Sequence, residues 1–124
     1  METTIYNAEH AEAVTVMEIH GDVDAGQGGA DRLCGLLRGL VGSGARYLVV
    51  DLAQTRHLVS EALGGILAAL ARVRLKGGDL VLAGAAGGVL AALNAVRVGD
   101  LTRLFDAREE AVAYLAGQAG ESSE

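Results

Sequence analysis

Apolar positions along this chain change period several times, and each change marks an element. AVTVMEIH alternates, with Val14, Val16 and Ile19 as inward positions and a slip near Met17, so residues 3–8 and 13–20 are expected to pair as a hairpin. From Ala30 to Val41 the period lengthens. Ala30, Leu33, Leu36, Leu37, Leu40 and Val41 share one helical face, with Asp31, Arg32 and Arg38 on the other, and Gly42 to Gly44 stop the helix. Tyr47 to Leu52 is an unbroken apolar run of the kind found in a strand buried on both faces. Ser60 stands before SEALGGILAALARVRLK, a second helical pattern that Gly77 and Gly78 end. DLVLAG is another buried strand, Gly87 to Val96 a short helix, and Leu101 to Phe105 an extended segment. In DAREEAVAYL, Asp106 stands as cap with Glu109 at capping-box spacing, opening a last helix.

A hairpin followed by alternating helices and strands is an α/β pattern. Strand–helix–strand crossovers require parallel pairing with right-handed connections, so the expectation is one mixed sheet of four or five strands with about four helices packed on it. Residues 1–117 read as a single domain and 118–124, QAGESSE, as a disordered tail.

Composition narrows the functions open to such a domain. Of its 124 residues 51% are hydrophobic and only 3% aromatic, so the core is aliphatic and stacking platforms for single-stranded nucleic acid are lacking. A formal net charge of -6 makes the surface a poor partner for duplex nucleic acid. Arg72, Arg74 and Lys76 are the one basic group, in the last turn of the second helix, where they complement its dipole. A single cysteine, Cys34, sits among apolar neighbours in RLCGLL and reads as core; it fits a reducing, cytoplasmic setting. METTIYNAEH has neither the basic nor the apolar region of a signal peptide, and the longest apolar run, Ala62 to Ala71, is too short to span a bilayer.

Several constellations suggest chemistry and fail on spacing. GAAGG at Gly84 to Gly88 and GQGG at Gly26 to Gly29 lie where a strand gives way to a helix, but neither has the spacing of a dinucleotide fingerprint or a P-loop. His10, His20 and His57 have no ligand spacing, so no metal or cofactor is expected. Asp51, His57 and Ser60 lack the flanking glycines of a nucleophile elbow. Two features keep their interest. Asp22, Asp24 and Asp51 end strands, and if those strands are neighbours the carboxylates gather near Ser60. The Ser60 helix is apolar almost all round. Leu63, Ile66, Leu67, Leu70 and Val73 form a core stripe, while Gly64, Ala68, Ala71 and Arg72 form a second face that fits a partner, or a second copy in a homodimer. Ser60 itself either caps this helix or presents its hydroxyl to another protein.

Taken together, these segments resemble the STAS domain of bacterial anti-sigma-factor antagonists over roughly residues 12–116. EIHGDVD is similar to that family's strand ending in Gly-x-Leu-Asp, and YLVVDL to its Val-Leu-Asp-Leu. VSEALGGILAAL is similar to its Asp-Ser-Ser-Gly-Leu-Gly and the helix behind it, KGGDLVLAG to its Gly-Gly strand, and LTRLF to the segment before its last helix. The resemblance implies a four-helix, mixed-sheet fold with no catalysis of its own. It implies binding to an anti-sigma factor, a histidine-kinase-like ATPase, which frees a sigma factor. It further implies that this kinase phosphorylates the serine at the helix start and so ends the binding. Ser60 falls on that serine and Asp24 on an acidic residue near it. The expected partner surface is Asp22, Asp24, Ser60, Glu61, Gly64 and Ala68. Val59, Glu61 and Ala62 depart from the family pattern of Asp, Ser or Thr, and Gly; Glu61 sets a fixed negative charge beside the acceptor. The alternatives are a non-switching STAS scaffold in a signalling or lipid-transport complex, and a nucleotide-binding domain.

Overall fold

Nearly every strand residue between Val14 and Ala83 is buried, because helices cover both faces of one five-stranded sheet. The protein is described by a computed structural model covering residues 1–26 and 28–120. In chain order its elements are β1 (Glu2–Ala8), β2 (Ala11–His20), α1 (Gly29–Gly42), β3 (Tyr47–Gln54), α2 (Ser60–Leu75), β4 (Asp79–Ala83), α3 (Gly87–Ala95), a 3-10 turn (Val98–Asp100), β5 (Leu104–Phe105) and α4 (Arg108–Ala119). The strands lie in the order β1-β2-β3-β4-β5, with β1 and β2 antiparallel and the other pairs parallel. This is the mixed sheet and helix complement expected from the patterning.

One face of the sheet carries Met17, Ile19, Leu48, Val50, Leu52, Leu80 and Leu82. These pack against Leu33 and Leu37 of α1, Ile66, Leu70 and Val73 of α2, and Val89 and Leu93 of α3. The other face carries Val14, Val16, Val49, Val81 and Ala83 under Ala111 and Leu115 of α4. Val14 and Val16 therefore point away from Ile19, and the apparent slip at Met17 is not an irregularity. From Val14 to Ile19 side chains alternate between faces, and both faces are apolar because both are covered.

Glycines close the helices at two places where the backbone requires them. Gly77 (φ +85°) and Gly78 end α2, the Gly78 N–H donating to Val73 O (2.8 Å) and the Gly77 N–H to Arg74 O (3.1 Å), the two bonds of a Schellman motif. Gly44 (φ +107°) ends α1 the same way, with Ala45 N–H on Leu40 O at 3.0 Å. The start of α4 differs from expectation by one residue. Ala107 is the cap position, and its N–H donates to Glu110 Oε1 (3.4 Å), so Glu110 and not Glu109 closes the box and Asp106 lies outside it. The anticipated tail from 118 begins inside α4, which runs on to Ala119; residues 121–124 lie outside the described residues. No helix of the described residues is long and apolar enough to cross a membrane.

Candidate functional site

β2 and β3 run parallel, and the segments that leave them stay paired beyond the sheet. Gly21 N–H donates to Gln54 O (3.0 Å), Val23 N–H to His57 O (2.9 Å) and Val59 N–H to Val23 O (3.0 Å). Thr55 Oγ1 donates to Ile19 O (2.9 Å) in the buried space between them. Val23 and Leu58, both buried, form a parallel bridge. Asp22 and Asp24 thus flank the residue that grips Val59, and Ser60 follows Val59 directly. Asp22, Asp24, Ser60 and Glu61 are all exposed. The same segment anchors α1, since Asp24 O accepts from Ala30 N–H (3.1 Å) and a Cβ on Gly29 would come within 2.8 Å of that oxygen.

Ser60 is the first residue of α2, and the cap is Val59. Val59 is extended (φ -74°, ψ 160°), and its carbonyl accepts the N–H groups of Ala62 (3.0 Å) and Leu63 (3.1 Å). A valine side chain has no oxygen to offer the first turn, so the helix starts without a side-chain cap. Of the two roles open to Ser60, capping is therefore not the one in use. Its hydroxyl is exposed at the positive end of a sixteen-residue helix, where added negative charge is favoured locally.

The two adjacent glycines of α2 have different work. A side chain added at Gly64 would meet nothing within 4 Å, whereas one added at Gly65 would run into Cys34 Sγ and stand 3.3 Å from Cys34 Cβ. Gly65 lets α1 and α2 approach, and Cys34, half-buried at that crossing, donates to Glu61 O (3.8 Å). Gly64 belongs to an open face with Ala71, on which Ala68 is half-buried.

Asp51 does not join this site. It lies opposite Glu18 on β2 and Ala83 on β4, on the α4 side of the sheet, whereas α2 covers the other side. There Arg108, from the first turn of α4, donates to Asp51 Oδ2 (3.2 Å) and to Glu18 Oε2. The second Asp51 oxygen accepts from Ala53 N–H (3.0 Å). Tyr6 donates to the same Glu18 oxygen (3.1 Å), and His20 Nε2 is 3.2 Å from the other. The misplacement has a simple cause. Asp51 has the parity of Val49, and an apolar run buried on both faces does not disclose which parity faces which helix.

Burial, then the hydrogen bond to Glu18, raise the Tyr6 pKa above its ordinary 10.0, partly offset by Arg108. Burial works against the Arg108 charge, but Tyr6, Glu18, Asp51 and Glu109 together raise its pKa further. A raised folded-state pKa means the folded protein holds the Tyr6 proton more tightly than the unfolded chain. The resulting stabilisation is present below 10.0 and is lost as pH climbs through the raised value. An alkaline titration followed by phenolate absorbance should contain one late-titrating tyrosine, and Tyr6→Phe should remove that late phase.

The glycine-rich turn at Gly84 is a packing device. Gly84 has φ +77°, a Cβ there would stand 2.8 Å from Ala53 Cβ, and its N–H already donates to Phe105 O (2.9 Å). Among the described residues no group of three His, Cys, Asp or Glu side chains is placed to hold a metal ion.

Against known proteins, a family model described as the STAS domain matches residues 6–111. No curated protein matches the chain. An anti-sigma factor antagonist from Mycobacterium paratuberculosis superposes with a TM-score of 0.81 at 17% identity, covering 92% of each chain. The anti-sigma factor antagonist SpoIIAA in its unphosphorylated form gives 0.70 at 13% identity, covering 91% of this chain and 96% of its own. A sulfate transporter family protein from Wolinella succinogenes gives 0.72 at 22% identity, covering 87% and 88%. At these identities the similarity speaks to the fold.

Proposed function

The chain belongs to the STAS domain family, and from that premise we propose that it is an anti-sigma-factor antagonist whose docking on an anti-sigma-factor kinase is ended by phosphorylation of Ser60. The observation that carries this reading is the condition of the Ser60 hydroxyl. It is exposed at the start of α2, it is released from capping by Val59, and main-chain bonds hold it beside the Asp22–Asp24 segment. Two of the structural neighbours bear the name antagonist, one of them in an unphosphorylated form.

In this reading the kinase, a histidine-kinase-like ATPase, meets Asp22, Asp24, Ser60, Glu61 and the open face at Gly64 and Ala68. Ser60 Oγ displaces ADP from the γ-phosphorus of ATP, giving a phosphoserine, ADP and a proton. The new group adds about -1.5 to -2 charges. The helix N-terminus tolerates it, but the apolar contact with the partner does not, and Asp24 and Glu61 add repulsion. The protein acts as a binding module and kinase substrate in the cytoplasm, not as an enzyme.

A second reading has its own support. Glu61 places a permanent charge beside Ser60, and one neighbour is a transporter-family protein. A scaffold subunit of a signalling or transport complex would keep Ser60 unmodified. Incubation with the purified cognate ATPase and ATP, followed by peptide mass spectrometry, separates the two. A phosphate on Ser60 is expected; an active kinase that leaves Ser60 bare would overturn the switch in favour of the scaffold.

A further inference from the structure

The protein is acidic overall, with 10 Lys and Arg against 16 Asp and Glu, yet half of its cations gather at one end. Arg72, Arg74 and Lys76 close α2, and the fold adds Arg38 from α1 and Arg46 from the loop before β3. Lys76 Nζ donates to Val41 O (3.1 Å), tying the two helix ends together, and the Arg46 guanidinium lies beside Gly77. Arg38, Val41, Gly42, Arg72, Leu75 and Lys76 line a groove of about 360 Å³ between the ends of α1 and α2. None of the six is acidic. Asp79, the carboxylate at the start of β4, is taken by Arg74 (3.1 Å) and Gln118 (3.1 Å). Leu75 stands in this cationic setting 89% exposed.

Dipole complementation accounts for the basic residues in the last turn of α2. It does not account for Arg38, which precedes the last turn of α1, for Arg46, which is in a loop, or for an aliphatic side chain left in water. We propose that this end is a second docking surface, and that it takes an acidic protein segment carrying an aliphatic side chain. The aliphatic group joins Leu75 over Val41, and the flanking carboxylates meet Arg38, Arg72 and Lys76. Charge selects the kind of partner. At physiological ionic strength charges act over about 8 Å, so a short segment seated in the groove senses mainly the cations. A bilayer or a duplex extends well past that distance and meets the acidic remainder of the molecule. Arg72, the groove residue of α2 nearest in sequence to Ser60, stands twelve residues or about 18 Å along the helix from it, so both surfaces can be occupied together.

The test is a fluorescence-anisotropy titration of the full chain with a labelled synthetic helical peptide bearing Glu and Leu on one face. Saturable binding is expected, weakening about tenfold or more for Leu75→Ser and for Arg38→Glu/Arg72→Glu, and falling as salt is raised. A peptide with its Leu replaced by Ser should lose affinity to the same extent, and this arm needs no protein variant to fold. None of the groove residues belongs to the surface around Ser60, so failure here leaves the reading of Ser60 standing. Lack of saturable binding, equal binding by the variants, or retention of the chain on phosphatidylglycerol vesicles or duplex DNA but not on the peptide would each overturn the proposal.

Discussion

Gly78→Ala should lower stability by about 3 kcal/mol or more, enough to move the melting temperature by roughly 10 °C in a domain of this size. A Cβ at Gly78 would overlap the Arg46 carbonyl, 2.6 Å from its carbon and closer still to its oxygen. That oxygen is not free to move aside, since it accepts from Asp79 N–H (2.8 Å) where the β3–β4 ladder begins. Gly78 is held in turn by its own bond to Val73 O (2.8 Å). Relieving the clash therefore breaks either the end of α2 or the start of β4. Gly64→Ala is the matched control. It enters open space on a helix, where alanine is favoured over glycine by about 0.8–1.0 kcal/mol, so it should raise the melting temperature slightly. Thermal unfolding followed by circular dichroism reads both. A Gly78→Ala protein that melts with the wild type would show that the α2–β4 turn and the loop at Arg46 are not packed this closely.

On the proposed reading, Ser60→Asp should weaken binding to the anti-sigma kinase by about a hundredfold, or about 2.7 kcal/mol, while leaving the fold as stable as before. The charge lands next to Glu61 and the Asp22–Asp24 segment and must be stripped of water against an apolar partner face. The free protein has no such difficulty, because an acidic residue in the first turn suits the helix dipole. Ser60→Ala should bind like the wild type. It should also cost less than about 0.5 kcal/mol of stability, since the hydroxyl caps nothing and a lost cap would cost about 1 kcal/mol. Calorimetric titration with the kinase, alongside melting curves, separates these effects. A Ser60→Asp protein that binds as tightly as the wild type would remove the switch.

Most of the architecture can be read along the chain because each element declares its own period. Gly42–Gly44 and Gly77–Gly78 mark helix ends, and the position of Ser60 at the head of α2 follows from the apolar run behind it. What escapes such reading depends on parity or on distant neighbours. The expectation that Asp51 ends its strand suggests a place near Ser60, yet β3 runs on to Gln54 and the Asp51 side chain turns to Arg108, since YLVVDL is apolar on both faces and carries no sign of which helix lies where. The pattern does not locate the start of α2 to within one residue, and that one residue decides whether Ser60 is a cap. Arg72, Arg74 and Lys76 are visible as a group, but Arg38 joins them only where α1 ends beside α2, and Arg46 only where the turn after α2 packs on the loop before β3. Glu18, Tyr6 and His20 carry no motif at all; Tyr6 and His20 gather on Glu18 through the β1–β2 hairpin, and Glu18 meets Arg108 through the return of α4.

The pairing between Val23 and the His57–Val59 segment has a consequence for how such a protein diversifies. Among the described residues, the hydrogen bonds that set Ser60 beside Asp22 and Asp24 are made by main-chain atoms and by the buried Thr55. Among the described residues, the exposed side chains of Asp22, Asp24, His57 and Glu61 take no part in those bonds. Residues 22, 24, 57 and 61 can therefore be exchanged one by one, changing the charge and shape of this surface, without moving the Ser60 oxygen. On the proposed reading, the choice of partner is written in exchangeable surface letters, while the address of Ser60 stays rigid.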